Sequence, residues 1–523
     1  MRIYRRTFIM TALAFALCAG AQAELWMPSI FSSHMVLQQK QANPVWGKGD
    51  PGAVLTITFG TEVNEVPVTE QQQVTVDANG KWQAALKAKR ADGKVYDLRV
   101  SHGAESLYFE DILIGEVWVC SGQSNMQWAV EQAGNPEVEI PAANYPNLRL
   151  FYVTRKTAET PQEDCVTDHQ WVPCTPEVAT KFSAVGYFFG RELHKSLNVP
   201  VGMIHTSWGG TPSESWTSAE AAAAEPAFAP ITERWNQTVA NYPEAMKAFE
   251  AATAEWQAKK DKGEATDQDK PRPPQGPDSP HRISSLYNAM INPLIPYGIK
   301  GAIWYQGESN AGRAFQYRTI FPAMIKNWRT DWAQGDFPFY FVQLANFMER
   351  KAEPVADDTW AELREAQFMT LSLPNTGMAS AIDIGEAKDI HPKNKQEVGR
   401  RLALWALKND YKKRSTVPSG PLYKSHEIGK DGKVTISFDY AKDLQFHGEP
   451  VGFQIAGEDK QFVWANAEIK GGKVMVWSDA VPAPKSVRYA WQANPPVSLY
   501  NGAGLPASSF RTDDWPGVTV NEK

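Results

Sequence analysis

GEVWVCSGQSNM, residues 115–126, carries an apolar run, Val117 to Cys120, straight into a polar tip, Ser121 to Asn125. Short apolar runs bounded by turn formers read as buried strands. A serine at the end of such a strand is held rigidly with its hydroxyl toward a cleft, which is what nucleophilic serine catalysis requires. The same residues also suit a strand-to-helix turn in which Ser124 only caps a helix starting near Gln127.

Two remote segments favour the catalytic reading. Ala302-Ile303-Trp304-Tyr305-Gln306-Gly307-Glu308-Ser309-Asn310 is a second apolar strand that ends in polar groups. Asp389-Ile390-His391-Pro392 stands ahead of a helix-like run, Val398 to Leu407, and holds one of only nine histidines. A base from a distant segment meeting a serine is the usual way nucleophile and base combine, and chemistry does not fix their chain order. Taken alone, His391 also fits a surface or capping histidine.

Four blocks, GQSNM, SWGGTPSESW (207–216), WYQGESN (304–310) and DIHPKNKQEVGRRLA (389–403), resemble those of the sialate O-acetylesterase family, within the SGNH/GDSL hydrolases. They occur in the family's order across roughly residues 112–407, and LWMPSIFSSHMVLQ near the N-terminus is similar as well. The resemblance implies a three-layer α/β/α hydrolase domain and a serine esterase that removes O-acetyl groups from sialic acids. Related acetyl xylan esterases carry similar blocks, so that sugar class stays open as the alternative. A non-catalytic carbohydrate-binding protein is the rival of a different class. It fits the 19 tryptophans, but binding alone needs no nucleophile.

At 523 residues the chain is long enough for two or three domains. With 43% hydrophobic and 21% charged residues it has the composition of a globular protein. A formal net charge of −6 with no basic patch argues against a nucleic-acid partner. Arg2, Arg5 and Arg6, the apolar run Phe8 to Cys18 and Ala21-Gln22-Ala23 form a secretory signal, so an exported protein, periplasmic or secreted, starting at Glu24 is expected. No later stretch reads as a membrane span. In an oxidising compartment Cys165 and Cys174, nine positions apart, are expected to form a local disulfide, while Cys120 belongs to a buried strand. No zinc spacing, phosphate loop or dinucleotide fingerprint is present, so neither metal nor cofactor is expected. The sequence says nothing about oligomeric state.

Residues 24–110 alternate short strands with turn signals such as Asn79-Gly80 and Asp92-Gly93, which reads as a β-sandwich-like module or as strands extending a neighbouring sheet. From 111 to 409 strands alternate with helices, the pattern of a mostly parallel sheet. Strand candidates are Ile112 to Cys120, Leu148 to Val153, Val201 to Thr206, Gly301 to Tyr305, Pro338 to Gln343 and Gly377 to Ile382; helix candidates include Val185 to Leu197 and Ala361 to Leu373. An insertion at about 220–280 is helical in its first half and Asp-, Lys- and Pro-rich in its second; it reads as a lid or as a tolerated surface excursion. Residues 410–523 read as a second β-sandwich-like module.

In parallel sheets ligands sit beyond the carboxyl ends of the strands. Ser124, Trp208-Gly209-Gly210 and Gln306 each follow a strand candidate and so share one edge. Ser124 is the expected nucleophile and His391 the expected base. The expected oxyanion donors are the main-chain N–H of Ser124, that of Gly209 or Gly210, and a side-chain amide from Gln306 or Asn310. The wider SGNH pattern places an acid three residues before the histidine, where this chain has Lys388; Asp389 is the candidate third member, and a main-chain carbonyl is the alternative. Glu308 reads as a polar neighbour of the site or a structural carboxylate. Arg282 and Arg313 are the candidate partners for a substrate carboxylate.

Overall fold

The computed structural model describes residues 24–63 and 66–523; the expected signal peptide at 1–23 lies outside the described residues. The strands that precede the central one are β1 (Val36–Gln38), β2 (Asn43–Lys48), β3 (Val54–Val63), β4 (Val66–Thr75), β5 (Lys81–Leu86) and β6 (Tyr96–His102). The central strand is β7 (Glu105–Gly122). After it come β8 (Tyr145–Tyr152), β9 (His169–Cys174), β10 (Val201–Ser207), β11 (Gly301–Tyr305), β12 (Phe339–Gln343) and β13 (Thr376–Ser380). The helices are α1 (Ser124–Gln127), α2 (Pro136–Glu139), α3 (Pro176–Lys181), α4 (Ala184–Leu197), α5 (Ala219–Ala224), α6 (Ala229–Asp261), α7 (Ala314–Trp332), α8 (Thr359–Met369) and α9 (Lys395–Asn409).

Eleven of these strands form one mixed sheet, while β2 and β5 pair with each other. The burial of β7 explains its two roles. From Glu105 to Asp111 its side chains alternate between exposed and partly buried, as on an antiparallel strand with one wet face. From Ile112 to Gly122 every residue is buried, as on a parallel strand covered on both sides. The first half pairs antiparallel with β6; the second lies between β10 and β11, both parallel to it. The expected module boundary at residue 110 therefore falls inside a strand. Leu55, Ile57, Leu98 and Val100 share one apolar core with Val117, Trp118 and Val119.

Across the parallel part the order is β13-β12-β11-β7-β10-β8, with β9 antiparallel at the β8 edge. The chain leaves β7 toward β8 and β10 on one side and returns to β11 on the other, so the strand order reverses at the carboxyl end of β7. That switch point is where open α/β sheets bind ligands. Helix α4 packs on α9 and on β10, α9 on β12 and β13, and α8 on α7 and β12. Helix α7 escaped the sequence reading, and Pro322 inside it breaks the expected pattern. Six tryptophans, Trp118, Trp171, Trp216, Trp304, Trp328 and Trp332, are fully buried, so much of the Trp content serves cores.

Beyond residue 409, two four-stranded antiparallel sheets contribute to a second core. Val434, Ile436 and Val474 come from one sheet and Phe453, Ile455 and Val487 from the other. This part is fastened to the α/β part by buried polar bonds. Arg364 donates to the carbonyls of Gln492 at 2.6 Å and Ala493 at 2.7 Å, and Glu362 accepts from the main chain of Val518 at 2.6 Å. No described helix is long and apolar enough to cross a membrane.

Cys165 and Cys174 are free thiols, which overturns the expected disulfide. The cause is β9. Cys174 ends this extended strand and pairs with Tyr145, whereas Cys165 lies before its start at His169. Five strand steps carry the chain roughly 16 Å, far beyond the Cα separation of about 7 Å that a disulfide tolerates. Cys174 is instead buried with its Sγ against the Ala143 carbonyl at 3.6 Å.

Candidate active site

Gly122, Ser207 and Tyr305 stand side by side in the sheet register, so β7, β10 and β11 end together. The loops GQSNM, WGG and QGESN consequently leave from one place. Gly122 adopts φ +140°, and a Cβ there would meet the Tyr305 carbonyl oxygen at 2.1 Å. Only glycine tolerates both. Gln123 ties the loops together: its N–H donates to Tyr305 O at 3.0 Å, and its Oε1 accepts from the N–H groups of Gly307 and Ser309, each at 3.3 Å.

Ser124 is the first residue of α1 and is partly exposed. Gly209 packs directly on it, since a Cβ at Gly209 would lie 3.2 Å from Ser124 Cβ. His391 reaches the same helix by two contacts. Its ring stacks on Trp128, one turn beyond Ser124, with centroids 4.5 Å apart and planes within 14°. The preceding carbonyl, of Ile390, accepts from Asn125 Nδ2 at 3.0 Å. Among the described residues no hydrogen bond joins Ser124 to His391. Asp389 Oδ1 accepts the main-chain N–H of His391 at 2.9 Å and lies 3.6 Å from its Nδ1. That geometry fixes the loop and leaves the carboxylate beside the imidazole.

Beneath these residues lies a charged network of which sequence reasoning named only Glu308. Asn125 donates to Glu308 Oε1 at 2.6 Å and accepts from Lys395 Nζ. Asn125 and Lys395 are buried and Glu308 is partly buried, and among the described residues the buried Glu308 Oε2 has no hydrogen-bond partner. Burial pushes the Glu308 carboxyl above its usual range. Burial also pushes the Lys395 ammonium down to about 7, against the pull of Glu308. Lys395 opens α9, where the helix dipole further disfavours a cation. His391 is held below its usual value, first by burial and then by the Lys395 charge, with Asp389 opposing. A histidine so placed is neutral at pH 7 and can accept a proton. Lysine in the first turn of a helix normally reads as solvent-exposed, so its role was invisible; Asn125, next to Ser124, was the available clue.

The expected oxyanion donors divide. Gly209 N–H is taken by Gln127 Oε1 at 2.7 Å, so it does not serve the cleft. Gln306 and Asn310 are fully buried and turned inward. Gln306 Nε2 donates to Asn310 Oδ1 at 2.6 Å and to Thr211 O at 3.3 Å, and its Oε1 accepts from Tyr317 at 2.9 Å. Asn310 Nδ2 donates to Glu214 at 2.9 Å. The two amides therefore brace the WGG loop against the QGESN loop and present nothing to substrate. The main-chain N–H groups of Ser124 and Gly210 remain without a protein acceptor among the described residues.

The chain matches the family model described as carbohydrate esterase, sialic acid-specific acetylesterase, over residues 114–267 and 277–408. It is 30% identical to the sialate O-acetylesterases of Pongo abelii and Homo sapiens, in each case over 94% of this chain and 94% of the relative. The chain belongs to the sialic acid-specific acetylesterase family. It is also similar to a solved carbohydrate acetylesterase from Xanthomonas citri, at 37% identity and a TM-score of 0.77, covering 94% of this chain and 100% of that one.

Within this member of the family the two candidate arginines part company. Arg282 is paired with Glu159 at 2.6 Å and borders a different cleft, with Ala219, Glu225 and Asn236, so it is no partner for a substrate at Ser124. Arg313 pairs with the buried Glu214 at 2.6 Å and lines a cleft with Gly210 and Ser309. Among the described residues no group of three or more His, Cys, Asp and Glu side chains could hold a metal ion.

Proposed function

We propose that this protein is a sialate O-acetylesterase acting through Ser124 and His391. It is a carboxylic ester hydrolase, in keeping with relatives that match along nearly its whole length. The observation that carries the reading is the meeting of Ser124, Gly209-Gly210 and His391 at the carboxyl edge of β7, with the His391 ring stacked one turn beyond Ser124. Ser124 Oγ attacks the acetyl carbonyl while His391 accepts its proton. The Ser124 and Gly210 N–H groups stabilise the tetrahedral oxyanion, at roughly 3 kcal/mol per donor. His391 then protonates the departing sugar oxygen, and water enters by the reverse route to release acetate. Asp389 holds the loop and, by a small movement, the imidazole.

The packing of helices on the parallel sheet supports a three-layer α/β/α hydrolase core of the SGNH type, with the 410–523 module beside it. Export to an oxidising compartment follows from the leader-like residues 1–23. Acetate release from a matched panel tests the substrate: kcat/KM on 9-O-acetylated sialosides is expected to exceed that on acetylated xylo-oligosaccharides. The reverse ranking would establish an acetyl xylan esterase instead.

A further inference from the structure

Asn125 follows the proposed nucleophile in α1 and is 1% exposed. Its side chain is fully engaged. Nδ2 donates to Glu308 Oε1 at 2.6 Å and to the Ile390 carbonyl at 3.0 Å, and Oδ1 accepts from Lys395 Nζ. These partners fix which way the amide faces, because a reversed amide would set its oxygen against a carboxylate and a carbonyl. Among short side chains only asparagine donates twice and still accepts. An ionised aspartate here would suit Lys395 and lose the other two bonds.

The three partners come from three different segments. Ile390 precedes His391, so the bond from Asn125 ends beside the proposed base. Glu308 lies in the QGESN loop after β11, and Lys395 opens α9 behind the His391 loop. That loop has other fasteners. Asp389 Oδ1 accepts the His391 N–H at 2.9 Å, Glu386 Oε1 accepts that of Lys393 at 3.0 Å, and Lys393 O accepts that of Gly134 at 2.7 Å. None of these runs to α1. Among the described residues the Asn125 bond is the one hydrogen bond between the 389–393 loop and the helix that carries Ser124. Stacking on Trp128 sets the plane of the His391 ring but lets it slide within that plane, so it does not fix the reach to Ser124.

We infer that Asn125 is a positioning residue: holding the Ile390 carbonyl from the residue after Ser124, it sets the separation of nucleophile and base, while Glu308 and Lys395 fix the amide that does so. This rests on the Ser124–His391 reading and is independent of the sugar. A misplacement of about 1 Å can cost on the order of 100-fold in rate, so the loss of such a bond belongs in kcat. The amide is buried beneath the cleft and does not meet substrate, so KM should stay.

The test is a double-variant cycle in the full chain, read as hydrolysis of p-nitrophenyl acetate. An aspartate keeps the shape and the acceptor for Lys395 but, when ionised, has no N–H for the Ile390 carbonyl. Asn125→Asp should lower kcat about 10- to 100-fold, with KM within about twofold of wild type. Added to His391→Ala it should lower the residual rate by less than about threefold, because no base is left to place. Circular dichroism and melting temperature check the fold, and Asn125→Ser, too short to reach Ile390, repeats the cycle if the aspartate variant is unfolded. A folded variant with kcat within about threefold of wild type would overturn the inference. So would a loss carried by KM, or an equal loss in both backgrounds. Wild-type rates in Ser124→Ala or His391→Ala would overturn the Ser–His reading and the inference with it.

Discussion

Replacing Lys395 by methionine should flatten the dependence of stability on pH above neutrality. Lys395 is fully buried and its ammonium falls from the ordinary 10.5 to about 7 in the folded state. Below pH 7 both folded and unfolded chains carry the charge, and the folded state bears the full cost of burying it. Between about 7 and 10.5 the unfolded chain binds more protons, so stability rises with pH across this window. Above it both forms are neutral and the cost is gone. At 1.36 kcal/mol per unit the whole window is worth about 5 kcal/mol, and about 1 kcal/mol of it is gained between pH 7 and 8, where the folded lysine is still giving up its proton. Lys395→Met removes this gain and adds a pH-independent loss of about 1–3 kcal/mol, because Asn125 Oδ1 and Glu308 lose their cation. Urea unfolding of both proteins at pH 6, 7, 8 and 9 gives the comparison, and the difference between them cancels most other titrating groups. The wild-type curve should rise relative to the variant's. Parallel curves would refute a neutralised buried lysine. The acid limb of the kcat/KM profile should also move to higher pH in the variant, because Lys395 no longer holds His391 down.

Gly209→Ala places a Cβ 3.2 Å from both Ser124 Cβ and Gln127 Oε1; kcat should drop about 10- to 100-fold, with stability lowered by only about 1–3 kcal/mol. Asp389→Asn should lower kcat on the order of 100-fold at nearly constant KM if the carboxylate orients His391, and a loss below about tenfold would pass that role to a main-chain carbonyl. Ser124→Ala and His391→Ala should each cost 10³-fold or more, with the double variant little worse than either, measured as acetate release. Multiplying losses would show that the pair does not act as a unit.

Strand candidates at Val201, Gly301 and Pro338 fell within a residue or two of β10, β11 and β12, because fully buried parallel strands are short apolar runs. Ser124 and Gly209-Gly210 were readable for the same reason, since each follows a strand end, whereas His391 was read from the Asp-Ile-His-Pro loop ahead of a helix. Polar residues behind the loops were not. Gln306 and Asn310 look like substrate donors in sequence, yet they are consumed in bracing Thr211 and Glu214. Whether an amide faces a cleft or a neighbouring loop depends on packing from residues a hundred positions away. Lys395 was hidden by its burial beneath the site. The spacing of Cys165 and Cys174 misled because an intervening strand separates residues that sequence distance places together.

The most direct test is to quench turnover of a 9-O-acetylated sialoside with acid and map covalent acetylation by mass spectrometry. One acetyl group on the peptide containing Ser124, absent from Ser124→Ala, is the expected result. Acetate released at the wild-type rate by Ser124→Ala, or an acetyl group found on a different residue, would contradict the assignment.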